Sequence, residues 1–223
     1  MSDADSFIDE VTEEVRRDRM YLLLRRWGWV GVVVVIAVVG GAAWNEYRKA
    51  QETATAQQLG DALIAALDPD APADRAAALA QVQPDTPGGA AVRDLLTAAA
   101  QAQSGEQEAA AETLAGVSTQ GELPEIYRQI ATFKALLMQA ETLPVADRRQ
   151  QFEALAQPGA PLRLLAEEQL ALIEIEQDAP DAAIDRLQGI LQDAEASVDL
   201  QQRASQLIVA LGGTPEPAPG QQG

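Results

Sequence analysis

Apolar residues recur with a helical period along most of the chain, and one stretch breaks the pattern. Between residues 5 and 24, Phe7, Ile8, Val11 and Val15 fall at three- and four-residue spacing, which predicts an amphipathic helix capped by Asp5 or Ser6. The polar face then disappears. From Trp27 to Trp44 there are 18 residues without a charge, and Val30 with the run Val32 to Val39 is apolar all round. As a helix this run is about 27 Å long, close to the roughly 30 Å of a bilayer's hydrocarbon. Polarity returns in NEYRKAQETATAQQLGDALIAAL, which reads as a polar stalk followed by an apolar face at Leu59, Leu63, Ile64 and Leu67. DPDAP at 68–72 ends that helix.

Shorter helices follow, at 73–83, 90–103, 106–116, 125–141, 145–156, 162–177, 178–193 and 197–213. PDTPGG at 84–89 reads as a turn, Ser104 and Gly105 as a second, and Gly212 with Gly213 as a C-cap. The most apolar helix carries Ile126, Tyr127, Ile130, Phe133, Leu136 and Leu137. Few β-branched residues occur outside the valine run, and alanine and leucine dominate, so the fold class is all-α. Paired helices of this size point to a repeat solenoid of the tetratricopeptide kind, with a plain helical bundle as the alternative. Such pairs cross at small residues, with a bulky apolar residue four positions on. Ala98 and Ala110 with Leu114 meet that requirement in one pair. Ala171 and Ala183, with Leu170 before and Leu187 after, meet it in another, 73 residues further along.

These patterns divide the chain into an N-terminal helix at 1–26, a transmembrane helix at 27–44, a stalk and first outer helix at 45–67, a tetratricopeptide-like helical domain at 68–212 and a tail at 213–223. TPEPAPGQQG in the tail has no core-forming residue, which predicts disorder.

The flanks of the apolar run fit a membrane interface. Trp27, Trp29, Trp44 and Tyr47 suit the headgroup level, with Val35 near the middle of the anchor, and Arg25, Arg26, Arg48 and Lys49 can snorkel outward. A cleaved signal is the competing reading, since Gly41, Ala42 and Ala43 are small. A signal's leading region is short and basic, however, and here it holds seven acids against five arginines. The run is also longer than the usual apolar core of a signal. A retained anchor is therefore expected. Five arginines on the N-terminal side against Arg48 and Lys49 on the other place the N-terminus in the cytoplasm and the rest of the chain outside it. Ala37 and Gly41 form a small-xxx-small pair that would let a second membrane helix approach.

The chemistry is sparse. There is no histidine and no cysteine, which removes the commonest general base, the commonest metal ligand and all thiol chemistry. No nucleophile motif, phosphate loop or metal-ligand cluster occurs, so no catalytic residue, cofactor or metal is expected. Pairs such as Glu167 with Glu168 and Asp193 with Glu195 read as solvated helix faces. The formal net charge of −18 lies mostly beyond the anchor and would repel nucleic acid and anionic headgroups. An acidic proteome would give the same balance.

The stretches DSFIDEVTEEVRRDRMYLLLRRWG and NEYRKAQETATAQQLGDAL, with GAPLRLLAEEQLALIEIEQDAPDAAIDRLQGIL and DLQQRASQLIVALG further on, resemble the YfgM-like family, alphaproteobacterial branch. Members of that family are ancillary subunits of the SecYEG translocon. The resemblance implies a non-enzymatic inner-membrane protein with a periplasmic domain. Its partners would be SecYEG, a membrane-anchored periplasmic chaperone and exported client chains. Three other readings stay open. They are an envelope scaffold for cell-wall or outer-membrane assembly factors, a cleaved periplasmic binding module, and an enzyme built without His or Cys.

Overall fold

The computed structural model describes residues 3–216, with side chains from Trp29 onward except Val32. The expected apolar face at Phe7, Ile8, Val11 and Val15, the side chain of Trp27, and tail residues 217–223 lie outside the described residues. Every regular element among the described residues is an α-helix: α1 (Asp3–Leu67), α2 (Pro72–Gln81), α3 (Pro87–Gln103), α4 (Gln107–Ser118), α5 (Glu125–Met138), α6 (Val145–Leu155), α7 (Arg163–Glu176), α8 (Pro180–Gln192) and α9 (Val198–Ala210). The chain divides into two compact units, Met1–Gln58 and Leu59–Gly223.

In the first unit α1 runs without a break through the valine run and the polar stalk. Trp29, Val33, Val34, Val35, Ile36, Val38, Val39 and Trp44 are all exposed. The stretch Trp29–Leu67 is long and apolar enough to cross a membrane. Valine is a poor helix former in water, but backbone groups in lipid must bond to one another, and a helix does this within one segment. On the stalk, Arg48 pairs with Glu52 and Gln51 donates to the Tyr47 hydroxyl, both one turn apart.

The second unit is a stack of antiparallel helices in which each packs on the next. Helix α3 also meets α5. Residues of α5 and α7 share one apolar cluster, and Arg203 of α9 reaches Glu168 of α7. The odd-numbered helices α3, α5, α7 and α9 thus form one layer and α4, α6 and α8 the other. The last turns of α1 enter this unit through Leu63 and Ala66, which pack with Leu79 of α2 and Ala100 of α3.

Two local expectations need correction. The apolar face expected at Leu59, Leu63, Ile64 and Leu67 is narrower in the structure: Leu63 is buried, but Ile64 is 65% exposed. Successive residues lie about 100° apart on a helix, so the stripe that meets α2 and α3 is Leu59, Leu63 and Ala66, and Ile64 lies beside it. PDTPGG is also only half a turn. Helix α3 begins at Pro87, so Gly88 and Gly89 are helical. Thr86 is the N-cap and its hydroxyl accepts from the Gly89 N–H at 3.1 Å, while Pro87 supplies a preset φ at the first helical position. Gly89 is needed for space. A Cβ there would lie 2.6 Å from Leu59 Cδ2 and 3.0 Å from Pro84 Cβ, whereas one on Gly88 would meet nothing within 4 Å.

This contrast is testable by thermal unfolding of the detergent-solubilised chain. Gly89→Ala should lower stability by about 1–3 kcal/mol through overpacking. Gly88→Ala should be neutral or stabilising by up to about 1 kcal/mol through helix propensity. Equal effects would mean that Leu59 does not pack against the start of α3.

Candidate interaction surface

The anchor positions Trp29, Val35 and Trp44 lie exposed along α1, and Ala37 and Gly41 fall one turn apart on the same helix with open space at Gly41. Ala98, Ala110 and Leu114 are fully buried in one cluster between α3, α4 and α5. Ala171, Ala183 and Leu187 are fully buried in another between α7, α8 and α9. Leu170 is separate. It faces the other way, into a cluster with Leu136 of α5 and Phe152 and Leu155 of α6.

The two alanine crossings belong to a larger repeat. Ala91, Val117, Ala131, Ala135 and Met138 in the first cluster correspond, 73 residues on, to Leu164, Ile190, Ala204, Ile208 and Leu211 in the second. The turns correspond as well. After α3 the chain reverses with Gly105 at φ +88°, where Glu106 N–H donates to Gln101 C=O and Gly105 N–H to Ala102 C=O. After α7 it reverses with Asp178 at φ +56°, where Ala179 N–H donates to Glu174 C=O and Asp178 N–H to Ile175 C=O. This double bond pattern around a left-handed residue satisfies the last carbonyls of the helix. Aspartate is among the few non-glycine residues that tolerate the conformation.

On the outer side of each crossing the second copy replaces neutral groups with charges. Thr113 donates to Gln101 in the first hairpin at 2.9 Å. At the equivalent positions Arg186 of α8 binds Glu174 of α7 at 2.7 Å, and also bonds Glu167. Arg149 of α6 approaches Glu174 as well, at 3.5 Å. Arg148 of α6 pairs with Glu176, Arg163 with Asp193 and Glu195, and Arg203 with Glu168 through two hydrogen bonds of 2.7 and 2.9 Å. Glu168 is therefore not a solvated carboxylate, as the sequence suggests, but 7% exposed. Its adjacent partner Glu167 is drawn to Arg186 instead. The reason is geometric: neighbours on a helix point 100° apart, so one acid faces α9 and the other α8.

Glu174 is 6% exposed. Burial by itself would raise its carboxyl pKa, but the hydrogen bond and charge of Arg186, helped by Arg149, hold it below the ordinary range. Asp193 is also lowered, by the Glu195 N–H and then by Arg163. Arg163, Glu167, Glu174, Asp185, Arg186 and Asp193 line a cleft of about 450 Å³ on this side. Arg186 pairs there with Glu167 and Glu174 and Arg163 with Asp193, which braces α7 against α8 and the loop after it. Among the described residues no group of three or more acids is placed to hold a metal.

Among the described residues of the second unit, every large apolar side chain left exposed is on an odd-numbered helix: Ile64 and Leu67 on α1, Leu137 on α5, Leu172 on α7, and Val198 and Val209 on α9. Leu137 sits in the most apolar helix, yet it is 43% exposed.

A family model described as a tetratricopeptide repeat-like domain matches residues 25–146, a little over half of the chain. The match begins at the apolar run and ends at the start of α6. No curated protein and no solved structure gives a match.

The ion-pair network predicts a pH-dependent stability. Because the folded pKa of Glu174 is depressed, its contribution is fully present above the ordinary carboxylate value of about 4.3 and is lost as pH falls through the lower folded value. Glu174→Gln should cost roughly 2–4 kcal/mol at pH 7, because Arg186 loses a buried partner. That cost should shrink as pH drops below about 4, measured by denaturant unfolding across pH. A cost independent of pH would remove the ionised Glu174 from the account.

Proposed function

The chain belongs to the tetratricopeptide repeat-like domain family, whose helical repeats are protein-interaction modules, and we propose that it is a non-enzymatic accessory subunit of the SecYEG translocon. In this reading α1 anchors it in the inner membrane with the N-terminus in the cytoplasm. The second unit lies in the periplasm and links exported chains to a membrane-anchored chaperone. The arginine bias across the apolar run supports the orientation. The observation that carries the interaction role is the exposure of Leu137, Leu172 and their neighbours on the odd helices alone. Apolar side chains left exposed on α5, α7 and α9 offer a partner surface to bury. Tethering beside the translocon would raise the effective partner concentration to about the mM range, so modest contacts suffice.

The test is crosslinking in intact cells with a C-terminal tag, followed by mass spectrometry. SecY, SecE or SecG together with a periplasmic chaperone should be enriched over an unrelated single-span protein. The double variant Leu137→Glu, Leu172→Glu should reduce their yield about tenfold, the factor that about 1.4 kcal/mol of lost contact produces. Its unfolding midpoint should stay close to that of the parent, because both side chains are exposed. Recovery of cell-wall or outer-membrane machinery in their place would make the protein an envelope scaffold and reject the translocon role.

A further inference from the structure

The start of the tail is held by one side chain. Gln188 of α8 donates from Nε2 to the Glu216 carbonyl at 2.8 Å and accepts from the Glu216 N–H at Oε1 at 2.9 Å. Both bonds go to the main chain of one residue, so the contact reads an extended backbone and ignores the side chain. The surrounding sequence fits this seat in three ways. Pro215 and Pro217 flank Glu216 and have no N–H, so Glu216 offers the only main-chain donor in Pro-Glu-Pro, and Pro217-Ala218-Pro219 repeats the same pattern two residues on. A residue before proline is biased to extended backbone, which presets Glu216 for the contact. Gly213 brings the segment in close: a Cβ there would lie 3.0 Å from Ile208 Cγ2 and 3.1 Å from Ile184 Cδ1.

The repeat adds an independent comparison. The position equivalent to Gln188 in the first copy is Ala115, and the position equivalent to Glu216 is Leu143, which packs into the cluster of α5, α6 and α7. The first copy fixes this segment by burying a leucine. The second fixes it with two neutral hydrogen bonds, and Thr214 and Glu216 remain exposed. Neutral hydrogen bonds in water give a small net gain, enough for a tethered segment at about mM effective concentration but open to displacement.

We propose that Gln188 is a main-chain clamp for an extended Pro-X-Pro peptide, that the chain's own tail fills it in cis around Glu216, and that a Pro-X-Pro peptide in trans competes for it. This claim is independent of the translocon reading and of the odd-helix face, since Gln188 lies on α8.

The probe is a synthetic peptide of residues 213–223, labelled with ¹⁵N at Glu216 and observed by NMR while detergent-solubilised protein is added. In the full chain, the double variant Glu216→Pro, Ala218→Pro removes the donor from both Pro-X-Pro units of the resident tail and should vacate the clamp. The peptide amide should then shift at protein concentrations at least tenfold lower than with the parent chain. Adding Gln188→Leu to that variant should abolish the shift. Gln188→Glu, which loses the donor and keeps the size, serves if the leucine variant does not fold. Equal titrations for the parent and the doubly substituted tail, a shift that survives loss of Gln188, or no shift with any protein would each overturn the proposal.

Discussion

The second unit depends on two helices approaching closely enough to touch at alanine. Ala98 against Ala110, and Ala171 against Ala183, leave no side-chain bulk at the crossing, so each hairpin is closed by contact between helix surfaces rather than by interdigitated leucines. This closeness fixes what surrounds it. The chain must reverse seven residues after the first alanine, and it does so through a left-handed Gly105 or Asp178. A bulky residue must fill the space one turn beyond the second alanine, and Leu114 and Leu187 do so with no exposure. Side chains on the outer rim, Gln101 with Thr113 and Glu174 with Arg186, are brought within bonding distance by the same crossing.

Given that frame, the two copies are stabilised differently. The first is bound by alanine, leucine and valine packing with Tyr127 and Met138. The second keeps this core but surrounds it with arginine–carboxylate pairs. Glu168 and Arg203 occupy positions that are Leu95 and Ile130 in the first copy, so one apolar pair of positions has become an ion pair between a buried carboxylate and a half-exposed arginine. An exchange of this kind is often close to neutral in stability but makes the site specific about geometry. The outermost helix also shows how the stack ends. Where α5 presents Phe133 and Leu136 to α6 and α7, α9 carries Gln206 and Val209 at the equivalent places. A glutamine in place of a phenylalanine suits a helix face that is exposed, as Gln206 is.

Much of this frame was legible in the sequence because it rests on local rules. The valine run, the small residues at helical spacing and the glycine turn at 105 all signal within a few residues. The closing glycines do so too: Gly213 N–H reaches Ile208 C=O and Gly212 N–H reaches Val209 C=O, around Gly212 at φ +83°. What escaped the sequence depended on distant partners. Nothing local tells Glu168 from Glu167. Their partners lie 35 and 19 residues away, and only the helix packing decides which acid is buried. Ile64 and Leu137 look like core residues because they are apolar and helical, but the available neighbours cover a narrower stripe than the apolar residues offer. Gly88 and Gly89 read as a turn because glycine usually breaks helices, whereas Thr86 and Pro87 together start one.

The arginine pairs also shape what the surface can recognise. Arg148, Arg149, Arg163, Arg186 and Arg203 are all engaged with carboxylates inside the second unit. In a chain with net charge −18, spending cations on internal braces leaves the outward field more negative than an even spread would. Such a field repels anionic groups, and at physiological salt it fades over about 8 Å. On the proposed role, affinity for a partner would come from the short-range apolar contacts that Leu137 and Leu172 offer. The acidic surround selects among candidates by favouring segments with basic flanks and slowing the approach of acidic ones. Attraction and selection are thus carried by different residues, and the two can be altered separately.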